Sequence, residues 1–166
     1  PKCAMLHLPL EAMSHSHVEP NTLMVDDTLE TIRGRIQALK KLYPQVRYVN
    51  NHTGSKFTAD KEAMQRLMEV LNEEKWIFVD SRTIGATQVK DVQESLGLRY
   101  LGRDVFLDHQ DGVKNVKQQI KEAIAKAKVQ AYAIAIGHPR TDTIEALKQS
   151  KSLLNKEVRI VGIEKI

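Results

Sequence analysis

Short apolar runs alternate with amphipathic helical patterns along most of the chain. Several of the runs are apolar at consecutive positions, which is typical of strands covered by helices on both faces of a parallel sheet. The predicted strands are residues 3–8, 46–50, 76–80, 105–107, 131–136 and 158–163.

Apolar residues spaced three and four apart predict a helix after each of the first five strands. Gly97 is suited to end the third helix, because glycine readily adopts the left-handed backbone found there. The stripes that mark the helices are Leu29–Ile32–Ile36–Leu39, Met64–Leu67–Met68–Leu71, residues 87–96, Val113–Val116–Ile120–Ile124–Ala127 and Ile144–Leu147–Leu154. The candidate helix caps are Asp26 or Asp27, Thr58 or Asp60, and Thr141 or Asp142.

This alternation predicts βα units joined by right-handed crossovers, and hence a single α/β domain over residues 1–166. The sequence has no internal repeat and no low-complexity segment. Residues 13–25 interrupt the alternation and predict a long loop. Within it, His15 and His17 alternate with serines, a pattern that favours a solvated loop over a small metal clip.

Composition indicates a globular protein and limits the partners and metal sites that are expected. The chain has 166 residues, of which 42% are hydrophobic and 28% charged, as expected of a globular protein. The formal net charge of +4 permits an acidic partner. Nevertheless, the basic residues are spread over several helices without interleaved aromatics, so we predict no nucleic-acid partner. The single cysteine, Cys3, excludes an internal disulfide and a cysteine-based zinc site.

Polar side chains follow four of the predicted strands directly. Because the carboxyl ends of parallel strands lie at the same edge of a sheet, we expect these side chains to converge on one rim. The residues concerned are His7 and Glu11 after the first strand, Asn50, Asn51, His52 and Ser55 after the second, Asp80 and Arg82 after the third, and His138 after the fifth.

Such a rim suits hydrolysis of an amide or an ester. Imidazoles and carboxylates can hold a divalent cation such as zinc and leave one position for water. A separate histidine can protonate the leaving group. The structural alternatives are a strand-end hydrogen bond for His7, a cap or salt bridge for Glu11, turn formation by Asn50 and Asn51, and an ion pair between Asp80 and Arg82.

Five short motifs in this order resemble the divergent polysaccharide deacetylase family, remote relatives of the NodB-type carbohydrate esterases. Each motif is weak alone, whereas five in the family's order make a specific match over nearly the whole chain. The motifs are LHLPLE at residues 6–11, NNHTGS at 50–55, FVDSRT at 78–83, RDVFLD at 103–108 and IGHP at 136–139.

The resemblance implies a distorted or incomplete (β/α) barrel of the NodB type, with a mostly parallel sheet and flanking helices. It further implies a divalent metal, with zinc expected, deacetylation of amino sugars in cell-envelope glycan, and a periplasmic or envelope-associated location. On this hypothesis the metal ligands are His7, His52 and Glu11, the catalytic residues are His138, Asp80 and Arg82, and the substrate-binding residues are Asn50, Asn51 and Ser55.

The sequence departs from the family pattern in two respects. Glu11 stands where the superfamily has its second metal-binding histidine. The family also opens with an Asp-Asp pair after its first strand, whereas Asp26-Asp27 here precedes a helix. We therefore expect an N-terminally truncated domain with an incomplete metal site and an exposed sheet edge that could pair with a second copy. The alternatives are a non-catalytic envelope protein that binds glycan or a protein partner, and a hydrolase with another substrate.

Overall fold

A computed structural model describes residues 4–14 and 18–166, which fall into two compact units. The first unit runs to Gly102, and the second runs from Arg103 to Ile166. The single domain over residues 1–166 stays a prediction. Cys3, His15 and His17 lie outside the described residues.

The first unit contains a parallel three-stranded sheet with the order β1-β2-β3. Met5 of β1 lies opposite Tyr48 of β2, which in turn lies opposite Ile77 of β3. A 3₁₀ turn, Phe57–Ala59, precedes the second helix. The strands are β1 (Met5–Leu10), β2 (Tyr48–Thr53) and β3 (Ile77–Val79), and the helices are α1 (Leu29–Leu42), α2 (Lys61–Glu73) and α3 (Val89–Ser95).

Alternation along β1 separates the core from the polar rim. Leu8 and Leu10 are buried in a cluster that includes Ile32 and Ile36 of α1, whereas His7 points to the opposite face of the sheet. Burying side chains of this size stabilises the fold by about 1.5–3 kcal/mol each. The core face of the sheet is therefore fixed by apolar residues, and the other face is left to polar ones.

The outer edge of β1 is covered only at its carboxyl end. Leu23 N–H donates to the carbonyl of Pro9 at 3.0 Å, and Glu11 N–H donates to the carbonyl of Leu23 at 2.9 Å. Proline suits this edge because it has no N–H to leave unpaired. Ahead of Pro9, no strand within the described chain pairs with this edge, and its pairing with a second copy stays a prediction.

Of the helix caps predicted in the first unit, the one for α2 is confirmed and the one for α1 is not. Asp60 caps α2 by accepting a hydrogen bond from Ala63 N at 2.8 Å, as one predicted alternative required. The prediction for α1 was wrong, because Thr28 caps the helix by accepting from Thr31 N at 3.2 Å. Asp27 instead accepts from Met24 N at 2.8 Å and closes the preceding turn.

The second unit contains a parallel pair of short strands and two long helices. Val105 lies opposite Ala135 in the strand pair. The core of the unit includes Val116, Ile120 and Ala146. The elements are β4 (Val105–Phe106), α4 (Val113–Gln130), β5 (Ala135–Ile136), α5 (Thr141–Glu157) and a 3₁₀ turn, Ile163–Lys165.

Three sequence predictions for the second unit were wrong. The predicted strand 158–163 is absent, because among the described residues no strand pairs with this apolar run. In α5 the small residue Ala146 faces the core, while Ile144 and Leu147 are 43% and 36% exposed. Neither predicted residue caps this helix, since its N-cap is Arg140.

Parallel strands with flanking helices establish the α/β class. Among the described residues the strands form one sheet of three and one of two, and they do not close into a barrel. No helix in this part of the chain is long and apolar enough to cross a membrane.

Two glycines provide a matched test of the first unit. Gly54 has φ +88°, and a Cβ there would lie 2.8 Å from Leu10 Cβ, whereas a Cβ on Gly34 within α1 meets nothing within 4 Å. We expect Gly54→Ala to lower the free energy of unfolding by about 1–3 kcal/mol. Gly34→Ala should raise it by roughly 0.5–1 kcal/mol. Urea denaturation measures both, and equal stability of the two variants would contradict the turn geometry.

Candidate functional site

An imidazole pair lies at the carboxyl end of the first sheet. The register places His7 opposite Asn50 and Pro9 opposite His52, so that both histidines project from the same face. His7 Nε2 lies 3.0 Å from His52 Nδ1, and the ring centroids are 4.7 Å apart at an edge-on angle of 62°. Two further contacts extend the pair into a chain of four side chains. His7 Nδ1 lies 3.0 Å from Asn50 Oδ1, and His52 Nε2 lies 3.1 Å from Glu19 Oε1.

The proton positions in this chain of contacts are linked. Since Asn50 Oδ1 accepts from His7 Nδ1, neutral His7 must accept at Nε2 from His52 Nδ1. His52 then needs a second proton to donate to the Glu19 carboxylate. If the Asn50 amide is reversed, both imidazoles satisfy the chain in their neutral forms. The hydrogen-bond roles of Asn50, His7 and His52 are therefore coupled along the chain of contacts.

The asparagines join the ends of β2 and β3. Asn50 Nδ2 donates to Ser81 Oγ at 3.0 Å. Asn51, 1% exposed, accepts from Ser81 N at 2.8 Å and donates to the carbonyl of Thr53 at 2.8 Å. These contacts give both amides a structural role at the rim, and substrate binding by Asn50 and Asn51 stays a prediction.

Asp80 is fully buried and holds the loop that follows β3. Its Oδ1 accepts from Arg82 N at 2.7 Å, and its Oδ2 accepts from Thr87 Oγ1 at 3.0 Å and from Tyr100 Oη at 3.3 Å. Burial raises the pKa of Asp80 above its ordinary value, although these hydrogen bonds oppose the rise. The predicted catalytic roles of Asp80 and Arg82 stay predictions, and the contacts are those of a loop anchor.

Glu11 anchors the segment after β1. It is 4% exposed, and its two carboxylate oxygens accept from Lys56 Nζ at 2.6 Å and from Val25 N at 2.8 Å. The hydrogen bond to Glu11 raises the pKa of Lys56. Ser55 similarly accepts from Met13 N at 3.0 Å. The salt bridge named as an alternative for Glu11 is therefore present, and its role as a metal ligand stays a prediction, as does substrate binding by Ser55.

The side-chain donors at the rim do not by themselves fit a metal ion. His7 and His52 supply two nitrogens, but zinc sites ordinarily take three or four protein ligands. Within residues 4–14 and 18–166, no group of three His, Cys, Asp or Glu side chains is arranged to hold a metal. Both carboxylate oxygens of Glu11 already have hydrogen-bond donors. Within the described residues, the two imidazoles therefore do not form a complete zinc site.

The second unit carries an aspartate–histidine dyad. His138 Nδ1 lies 3.2 Å from Asp108 Oδ1, while His138 N and Thr143 Oγ1 donate to Asp108 Oδ2 at 2.8 and 3.0 Å. Asp108 is 3% exposed, whereas the His138 side chain is 54% exposed. Although burial raises the pKa of Asp108, the hydrogen bonds from His138 and Thr143 outweigh it and lower the pKa overall.

Asp108 was missed as a site residue in the sequence analysis. The available signal was the one used for Asp80, since both aspartates follow a short apolar strand. Glu19 and Lys56 were also missed. No local pattern marks them, because their contacts with His52 and Glu11 arise only from tertiary folding.

Comparison with known proteins defines the class to which this fold and these motifs belong. The family model for divergent polysaccharide deacetylase matches residues 2–166, and the chain belongs to that family.

Individual relatives extend the comparison. An uncharacterized protein of Haemophilus influenzae is 34% identical over 159 residues, covering 96% of this chain and 57% of that protein. The uncharacterized protein YibQ of Escherichia coli is 32% identical over 157 residues, covering 95% of this chain and 49% of its own length. The chain thus spans about half the length of these relatives.

A solved structure shares the fold. The crystal structure of the uncharacterized protein ATU2773 from Agrobacterium tumefaciens matches with a TM-score of 0.85 at 20% identity. The match covers 97% of this chain and 67% of that one. At this identity the likeness concerns the fold alone.

The buried carboxylate of Asp80 gives a pH-dependent prediction. Because its folded pKa is raised, the native state binds more protons than the unfolded state, so stability falls as pH rises above the ordinary value of 3.8. Asp80→Asn should remove this part of the pH dependence while keeping an oxygen for Arg82 N. Urea unfolding of both proteins between about pH 4 and 7 measures it. Identical pH slopes would contradict the assignment.

Proposed function

We propose that this protein is a hydrolase that removes acyl groups from amino sugars of cell-envelope glycan. Membership of the divergent polysaccharide deacetylase family supports the substrate class. The observation that carries the chemistry is the dyad of buried Asp108 and half-exposed His138. The location at the cell envelope and the completed NodB-type barrel belong to the same proposal.

The dyad has the arrangement of a general acid–base. Asp108, kept ionised at neutral pH by its donors, fixes the orientation of the imidazole through Nδ1. The opposite ring nitrogen, Nε2, then exchanges protons with solvent or with a bound group. In an amide hydrolysis, water would add its oxygen to the acyl carbon, and protonated His138 would donate its Nε2 proton to the amine nitrogen as the C–N bond breaks, which releases the free amine and the acyl acid.

The imidazole pair supplies polar contacts in the first unit. In this proposal His7 and His52 bind a polar substituent of the glycan or contribute two nitrogens to a divalent ion whose further ligands remain to be found. Asn50 lies behind His7 and sets its orientation, as a positioning residue. Zinc, if bound, would supply Lewis-acid activation of water.

A second candidate function is glycan binding without catalysis. The hydrogen bonding of Glu11 favours this candidate, because its carboxylate already accepts hydrogen bonds from Lys56 Nζ and from Val25 N. A protein in which Glu11 forms a structural ion pair instead of binding a metal can still bind glycan at the rim without hydrolysing it. The two candidate functions differ in turnover.

Substitution of the dyad distinguishes them. His138→Ala and Asp108→Asn should each lower the rate of acetate release from an N-acetylated oligosaccharide by roughly 10²–10⁴-fold, while binding changes little. His109→Ala is the matched control, because His109 is exposed and contacts only the carbonyl of Phe106 among the bonds described. Binding of the oligosaccharide without any acetate release by the wild-type protein would favour the non-catalytic candidate.

The metal hypothesis has its own test. If the imidazole pair contributes to a zinc site, Zn²⁺ should raise the melting temperature of the wild-type protein, and His7→Ala with His52→Ala should abolish the rise. Calorimetric titration with Zn²⁺ measures the same binding directly. His109→Ala again serves as the control. A rise that persists in the double variant would remove His7 and His52 from the metal site.

A further inference from the structure

The net positive charge of the chain comes from the second unit. Residues 1–102 contain thirteen basic and thirteen acidic side chains, whereas residues 103–166 contain twelve basic and eight acidic ones, which accounts for the net charge of +4. Helix α4 alone has five lysines and one glutamate. The charge is thus concentrated on one unit and, within it, on one helix in particular.

The lysines of α4 divide into two groups. Lys126 and Lys128, near the end of the helix, pair with Glu122 and Glu157. Lys114, Lys117 and Lys121 form no ion pair with any described carboxylate. Their spacing of three and four residues places them on one face of the helix. The unbalanced charge is therefore a row of three ammonium groups.

This row lines a hollow of ligand size. The hollow has a volume of about 550 Å³, and Lys117 Nζ reaches Gln149 Oε1 across it at 3.3 Å. No carboxylate lies in its lining, which consists of Val113, Lys114, Asn115, Lys117, Gln118, Lys121 and Gln149. Outside the lining, the carboxylate of Glu145 accepts from Gln149 Nε2 at 2.8 Å. Small-molecule sites commonly have volumes of this order.

The position along the helix reinforces the charge. Of the three lysines, only Lys114 lies in the first turn of α4, where the helix dipole is positive and no acidic residue occurs. Lysine at this end is unfavourable for the helix itself, since acidic side chains stabilise it there. Stability of the helix thus gives no reason for Lys114, although the carboxylate of Asp142, which accepts from Gly112 N at 2.9 Å, offsets part of the dipole.

We propose that this hollow, lined by Lys114, Lys117 and Lys121, binds a ligand with two or more phosphate groups. A rise of 1.5 Å per residue spreads the three ammonium groups over about 10 Å, which fits several anionic groups rather than one. The amides of Asn115, Gln118 and Gln149 add neutral hydrogen-bond donors. A lipid surface is a poorer partner, because Val113 is the only apolar residue in the lining. This site is independent of the dyad.

Charge-matched variants test the proposal. The triple variant Lys114→Gln, Lys117→Gln, Lys121→Gln is compared with Lys151→Gln, Lys156→Gln, Lys165→Gln, which removes the same charge from exposed positions outside the hollow. Inorganic tripolyphosphate is the probe, measured by calorimetric titration. Because three lysine–phosphate contacts are lost together, we expect roughly a 100-fold loss of affinity in the first variant. The second variant should bind like the wild type.

The possible results distinguish a specific phosphate site on α4 from general attraction of anions to a positively charged protein. Binding of tripolyphosphate at least tenfold tighter than orthophosphate, lost only in the α4 variant, would support the site. An equal loss in both variants, or no binding by the wild type, would overturn it. Sedimentation with phosphatidylglycerol vesicles but no binding of tripolyphosphate would also overturn it in favour of a lipid surface. Circular dichroism of the variants checks that α4 remains folded.

Discussion

The parallel register between β1 and β2 determines which residues can meet at the rim. With Leu8 and Leu10 in the core, His7 must lie on the other face, and pairing with Asn50 then brings His52 beside it. A slip of β1 by one residue would exchange its faces, placing His7 in the core and the two leucines at the rim. The free energy of burying two leucines, about 1.5–3 kcal/mol each, thus also specifies the geometry of the imidazole pair.

The strand register does not itself fix the loops that follow the strands. Buried polar groups at the strand ends hold these loops in place. Asn51, Asp80 and Glu11 each bond to backbone N–H groups of another segment or of the following loop. Loss of such a partner leaves a buried group unsatisfied, at a cost of about 1–3 kcal/mol. Polar residues after a strand are therefore needed for structure as well as for chemistry, and the sequence signal for the two is the same.

This overlap explains what the sequence could and could not predict. All five helices and the first five strands were predicted from local apolar patterns, although β5 covers only Ala135–Ile136 of the predicted 131–136. Asp60 was predicted as a helix cap by the same local rules. The sixth strand failed because pairing, and not the apolar run at 158–163, decides whether a strand forms. Partners such as Lys56 of Glu11 depend on contacts between segments remote in sequence, which no periodicity records.

Exposure separates the two kinds of strand-end carboxylate. Asp80 bonds to a backbone N–H and two hydroxyls and contributes nothing to the surface, as expected of a loop anchor. Asp108 is equally buried, yet one of its oxygens faces an imidazole that remains half exposed. A purely structural ion pair gains little from leaving its basic partner in solvent, where the attraction is screened. An oriented imidazole open to solvent is what proton transfer requires, and this contrast supports His138, rather than Asp80, as the acid in the proposed hydrolysis.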